Sequence, residues 1–205
     1  MKLYKLTDEN GYAGTERKNQ CKWGEGVKHT SVYVKTPTSK PRLCTQDVIH
    51  AYCNPLIAVV MNPAHATFRN PIFWEAKGFP VVFESQLKLG CLSLTTVKQI
   101  PLPVISSAQK QHFAILCALE VYEKPLFVLW AKKWLSKEDR SASAASTVAS
   151  DADPAAAYAA RAAALSASDA ADAAIYAARA AASAAANNKK INFISLLKTA
   201  IREES

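Results

Sequence analysis

Hydrophobic and polar positions alternate at the start of the chain, over Lys2-Leu3-Tyr4-Lys5-Leu6-Thr7, and the run ends at the turn-like Asp8-Glu9-Asn10-Gly11. Period-two alternation predicts a first strand over Lys2–Thr7. Residues 14–30 are polar and glycine-containing and predict a loop with Trp23 as its apolar anchor. Ser31–Lys35 reads as a second strand, after which Pro37 and Pro41 break regular structure. A short strand is expected before Asn54. Asn54 then caps a short helix over Pro55–Met61, with Pro55 at the first helical position. Ile72–Ala76 and three β-branched segments up to about Pro103 follow as strands.

The period changes at Ser106. Gln109 stands three positions on, which is capping-box spacing, and Phe113, Leu116, Cys117, Glu120 and Val121 then follow a helical stripe. Pro125 opens a second helix whose Trp130 and Trp134 share a face. The pair is expected to pack on the sheet. The Ser/Ala-rich segment 141–150 reads as a linker and as the clearest boundary.

Beyond it, one ten-residue phrase occurs twice, at Ala155–Ala164 and Ala173–Ala182. Alanine has the highest helix propensity. Asp153-Pro154 supplies an N-cap and first-turn proline, Asp169 offers a second cap, and Asn187-Asn188 offers a stop. The repeat period is 18 residues, which is five helical turns. One long helix is a possible form, and Ser166–Asp169 as stop and restart favours two helices in an antiparallel pair. An amphipathic helix closes the chain, with Ile191, Phe193, Ile194, Leu197, Ala200 and Ile201 as its apolar stripe.

The fold class these patterns predict is α+β. A basic, mostly antiparallel domain over 1–104 precedes a helical pair over 105–140 and the linker 141–150. An alanine-rich helix or hairpin over 151–188 and a terminal helix over 189–205 complete the chain.

Charge sharpens the picture. The formal net charge is +8 over 205 residues, and residues 1–140 carry 19 Lys+Arg against 11 Asp+Glu. A basic domain attracts phosphate or an acidic protein surface; a merely solvated surface is the competing reading. The N-terminus lacks the apolar core of a signal peptide, and outside the alanine tract no uncharged apolar run is long enough to span a bilayer. The expectation is a cytoplasmic protein with no membrane partner. Five widely spaced cysteines argue for free thiols.

The chain lacks the glycine-rich phosphate loops, the serine-hydrolase elbow and the zinc-protease motif. His29, His50, His65 and His112 are not at ligand spacing, so neither a metal nor a cofactor is expected. Arg17, Lys18 and Lys22 beside Trp23 form a nucleic-acid candidate, with charge for phosphate and a ring for stacking. A solvated loop over a buried tryptophan is the competing reading. Tyr158, Arg161, Tyr176 and Arg179 are the candidate contacts of the alanine tract. His50 and Tyr52 alternate on one strand face and form the most suggestive polar pair, with a satisfied sheet histidine as the alternative.

The order Leu3–Gly11, Trp23–Thr30, Leu43–Ala66, Asn70–Gly78 and Lys88–Pro103, with His50–Pro63 as its most specific part, resembles a family of bacteriophage and prophage hypothetical proteins with a variable alanine-rich tail. The resemblance implies an accessory protein of an infected bacterial host with no established activity. It raises the expectation of a non-enzymatic inhibitor that binds a host protein or nucleoprotein complex, such as a CRISPR-type defence effector. Direct DNA or RNA binding is the alternative. A weaker likeness, in His-x-Tyr and the Trp74–Gly78 strand end, is to the ADP-ribosyltransferase fold. It implies His50 and Tyr52 as NAD-gripping residues, with Glu75 or Glu84 as the carboxylate.

Overall fold

A computed structural model describes residues 1–14, 20–34, 40–150, 152–164, 167–185 and 190–205. The chain is α+β: an antiparallel sheet comes first and helices follow. It divides into two compact units, Met1–Val104 and Ile105–Ser205.

In the first unit, β1 (Lys2–Thr7) pairs antiparallel with β6 (Ile72–Glu84), from Lys2 opposite Lys77 to Thr7 opposite Ile72. β6 and β7 (Lys88–Gln99) form one long hairpin. On the far side of β7 lie β4 (Lys28–Thr30) and β5 (Ile49–Ala51). β2 (Tyr12–Ala13) and β3 (Cys21–Lys22) make a separate two-stranded ladder. Val32–Val34, expected within a strand, is a 3-10 turn. Asn54 caps α1 (Pro55–His65) by accepting from the backbone N–H groups of Leu56 and Ile57 at 2.9 and 3.3 Å. Leu3, Trp23, Ala51, Leu89, Cys91 and Leu94 belong to the core.

The segments expected as several short strands merge into the long hairpin because Pro80 sits in β6, where the outer side of the strand carries no ladder. Among the described residues β1 pairs no further along β6 than Lys77. A missing N–H costs nothing on such an edge. Close approach is required where β5 meets β7. A Cβ on Gly90, which stands opposite His50, would lie 2.5 Å from Val48 Cγ2.

The second unit holds six α-helices among the described residues. They are α2 (Ser107–Leu119), α3 (Pro125–Leu135), α4 (Ala142–Ala149), α5 (Pro154–Ala164), α6 (Ala167–Ala185) and α7 (Phe193–Glu203). The helical pair α2–α3 groups with the alanine helices in this unit. The Ser/Ala segment read as a linker forms α4. Its N-cap Ser141 accepts from Ala144 N–H, and Ala145 is buried. α6 begins at Ala167, two positions before the expected cap Asp169, and Asn187 and Asn188 fall outside the described residues.

Ser106 closes a capping box at α2. Its Oγ accepts from Gln109 N–H at 3.2 Å, and Gln109 Oε1 accepts from Ser106 N–H at 2.8 Å. Ser106→Ala should therefore cost about 1 kcal/mol of unfolding free energy. Urea denaturation of the full chain measures it, and an unchanged midpoint would mean that the cap carries no stability. On α2 the buried side chains are His112, Phe113, Ala114, Ile115, Cys117 and Ala118. The buried face keeps Phe113 and Cys117 of the predicted stripe, leaves Leu116, Glu120 and Val121 half-buried, and includes a histidine.

α5 and α6 form a hairpin. The Tyr158 and Tyr176 rings lie 5.2 Å apart, whereas 18 residues of one continuous helix would separate them by about 27 Å. Among the described residues no helix is long and apolar enough to cross a membrane.

Candidate functional site

β5 carries His50 to the edge of a loop that bonds to itself. Thr45 Oγ1 donates to the Arg42 carbonyl at 2.9 Å, and Asp47 Oδ2 accepts from Arg42 N–H at 3.2 Å. Cys44 sits in this loop with φ +61°, a left-handed conformation that costs a non-glycine residue roughly 1–2 kcal/mol. Its N–H donates to His50 Nε2 at 3.0 Å, which offsets part of that cost. The Cys44 Sγ accepts from Lys88 Nζ at 3.3 Å.

Lys88 is 5% exposed. A buried ammonium is costly unless a partner compensates it, and here the bonded partner is a thiol sulfur. Lys5, on β1, donates from Nζ to the His50 carbonyl at 2.9 Å and lies 5.4 Å from the Trp23 ring centroid. Burial, reinforced by the neighbouring Lys88 charge, lowers the Lys5 ammonium to about 8. Two ammonium groups, an exposed thiol and an imidazole thus meet around β1, β5 and the start of β7.

The ADP-ribosyltransferase-like residues are distributed between β5, the residue that follows it and the two ends of β6. Tyr52 is buried and bridges β1 through paired backbone bonds with Tyr4. Burial, aided by the Glu84 charge, pushes its phenol well above the ordinary range. The His50 ring Nε2 is committed to Cys44 N–H. Glu75 is held by Lys2 at 2.9 Å, and the hydrogen bond from that ammonium lowers its carboxyl. Nine residues of strand, about 30 Å, separate it from Glu84. The two candidate carboxylates do not converge. A shallow open depression between Pro71, Phe73, Gln99, Ile100, Pro101 and Leu102 contains none of these residues. Among the described residues no group of three His, Cys, Asp or Glu side chains is placed to hold a metal ion.

The basic stretch is also redistributed. Trp23 is 3% exposed and meets His29 edge-on at 4.6 Å, so its ring does not face solvent for stacking. Lys22 is exposed, with its ammonium 5.2 Å from the Tyr12 ring. Arg17 and Lys18 lie outside the described residues. In the alanine hairpin Tyr176 is exposed and Tyr158 half-buried, and Arg161 and Arg179 are exposed.

Sequence reasoning missed the most exposed aromatic feature. Along the outer half of β6, alternate positions Lys77, Phe79, Val81 and Phe83 are exposed, Phe79 by 81% and Phe83 by 59%. The alternation of Gly78–Phe83 was the available signal, and the Gly78-Phe79-Pro80 turn chemistry masked it. Comparison of the chain with family models, with curated proteins and with solved structures returns no match.

Proposed function

We propose that the protein is a non-enzymatic binding protein whose N-terminal unit docks on an acidic protein surface through β6. The observation that carries this reading is the strip Phe79, Val81 and Phe83, exposed on a strand edge beside Lys77. Large apolar side chains lined up in water mark an interaction surface, and aromatic residues dominate binding hot spots. The charge of the unit supplies the complement. Residues 1–104 carry 13 Lys+Arg against 7 Asp+Glu, for a net +6. Pro80, flanked on both sides by irregularities in the β6–β7 register, makes this stretch a poor template for strand addition, so docking proceeds through side chains.

This fits a cytoplasmic accessory protein of bacteriophage type that inhibits a host macromolecular complex, such as a nucleic-acid-handling defence complex. Phe79 and Phe83 beside Lys77 also support a second reading, stacking of single-stranded DNA or RNA. The aliphatic Val81 between them favours protein side chains over bases.

The experiment is a pull-down from bacterial lysate with and without nuclease, using the full chain and its Phe79→Ser/Phe83→Ser variant. A stoichiometric partner that survives nuclease and is lost with the double variant is expected. Each phenylalanine should contribute about 2 kcal/mol, roughly 30-fold in affinity. Capture abolished by nuclease, with affinity falling steeply in salt, would establish the nucleic-acid reading instead. Undiminished capture by the double variant would remove β6 as the contact.

A further inference from the structure

We propose that Cys44 and Lys88 form an oxidation-dependent covalent cross-link, a sulfur–nitrogen bond made when a peroxide-class oxidant reaches the Cys44 thiol. The two reacting atoms are already in contact, with Lys88 Nζ 3.3 Å from Cys44 Sγ. They come from positions 44 residues apart, so the pairing is a product of the fold rather than of chain proximity. Lys88 approaches from the sheet side and is 5% exposed, while Cys44 faces solvent. An oxidant therefore meets the sulfur from outside and the amine waits behind it. Of the other cysteines, Cys91 and Cys117 are buried and Cys21 and Cys53 are half-buried, so Cys44 is the accessible thiol.

The loop fixes this orientation. Cys44 holds φ +61° and its N–H is tied to the His50 ring, which is anchored on β5. Lys5, donating to the carbonyl of the same histidine, places a second positive charge beside Lys88. Converting Lys88 into an uncharged linked nitrogen relieves the repulsion between the two ammonium groups, which favours the linked state.

The chemistry balances in two steps. In the first, the S–H bond of Cys44 and the O–O bond of the peroxide break and an S–O bond forms. Sulfur is oxidised by two electrons, the peroxide is reduced by two, and one water leaves for hydrogen peroxide. The product is a sulfenic acid, the reversible first rung of thiol oxidation. In the second step Lys88 Nζ attacks that sulfur, the S–O bond breaks and the S–N bond forms. The nitrogen sheds two protons, one to the departing hydroxyl as water and one to solvent, with no further change in oxidation level. A thiol reductant reverses the link by attack at sulfur, restoring the Cys44 thiol and the Lys88 amine.

The link would tie the 40–47 loop to β7 at Lys88, whose ladder partner is Glu84 at the tip of the hairpin. It stands independently of the docking reading, since it is read from the protein alone.

The test is treatment of the full chain with hydrogen peroxide at about neutral pH, followed by tryptic peptide mapping without reductant. The expected result is a Cys44 peptide joined to a Lys88 peptide, lacking two hydrogens relative to the sum of the two. Trypsin should fail to cleave after Lys88, and reductant should return both peptides. Because a disulfide between Cys44 and Cys91 would join the same segments, the map is repeated in a Cys53→Ala/Cys91→Ala background, where the link should persist. Lys88→Arg should abolish it and leave a Cys44 sulfenic acid trapped by a carbon nucleophile. Oxidised Cys44 with trypsin still cleaving after Lys88, or a link lost in the double-alanine background, overturns the proposal. So does a Cys44 thiol that survives peroxide while other thiols in the chain are consumed.

Discussion

Replacing Glu204 by alanine lowers the unfolding free energy of the C-terminal unit by about 3 kcal/mol, the low end of what removing one partner of a buried ion pair costs. The Glu204 side chain is 5% exposed and meets a guanidinium and an imidazole. Arg140 engages it through both terminal guanidinium nitrogens, and His112 Nδ1 lies 3.0 Å from its Oε1. His112 is 1% exposed, whereas Arg140 keeps 28% of its side chain in solvent, which moderates the loss. Arg140 also donates from Nε to the Trp134 carbonyl at 2.9 Å and stacks over the Trp134 ring at 4.0 Å. One carboxylate therefore pins the end of α7 to α2 and to the turn after α3. Without it, the Arg140 charge loses its counter-ion and the buried His112 ring loses a hydrogen-bond partner.

The same group sets a pH dependence. Burial raises the Glu204 carboxyl, but the hydrogen bonds from Arg140 and His112 outweigh it and hold the group below its ordinary value of 4.5. A carboxyl lowered in the folded state contributes its full stability above the unfolded value and loses it as pH falls through the folded one. The wild-type chain should thus lose stability below about pH 4.5 more steeply than Glu204→Ala. Urea denaturation between pH 7 and pH 3 measures both effects. Parallel slopes for the two proteins would show that this carboxylate does not report on folding.

Local signals in the sequence were readable where the physics is local. Asn54-Pro55, Ser106 with Gln109, and Asp153-Pro154 each place a side-chain acceptor beside the backbone donors it satisfies, and the helices start there. Ser141 was the same kind of signal. The Ser/Ala composition of α4 hides it, since it reads equally as a linker until Ala145 finds a buried place. The β6–β7 hairpin was harder, since Pro80 reads as a break unless the strand is known to be an edge. Trp23 illustrates a second barrier. Whether an aromatic beside lysines faces water depends on what the fold lays over it, here His29 and Lys5. The Cys44–Lys88 contact and the His112–Glu204 contact join positions 44 and 92 residues apart, and no periodicity encodes them.

Substituting Ala178 by leucine should destabilise the C-terminal unit by about 1–3 kcal/mol, and Ala160→Leu by a similar amount. Ala159, Ala160 and Ala162 on α5 and Ala174, Ala177, Ala178 and Ala181 on α6 are fully buried. Such density of buried alanine lets helices approach at the short end of the usual 8–10 Å range, because only a methyl group separates the backbones. Interiors are close-packed, so the three extra carbons of leucine have no void to enter. The bundle must open to admit them. The polar bonds along it depend on this spacing as well. Gln111 Nε2 reaches the Ala162 carbonyl at 2.9 Å and satisfies one of the acceptors left open at the end of α5. Ala184→Leu, at an exposed position of the same helix, is the control and should stay within about 0.5 kcal/mol of wild type. Thermal unfolding followed by far-UV circular dichroism separates the two cases, and equal midpoints for Ala178→Leu and Ala184→Leu would show that the helices do not pack closely. The paired Tyr158 and Tyr176 rings support the same conclusion. The rings of two residues 18 apart meet at 5.2 Å because the hairpin brings the repeated phrases side by side, so each copy of the phrase packs against the other. The repeat and its alanine content therefore answer to one requirement, the narrow space between α5 and α6.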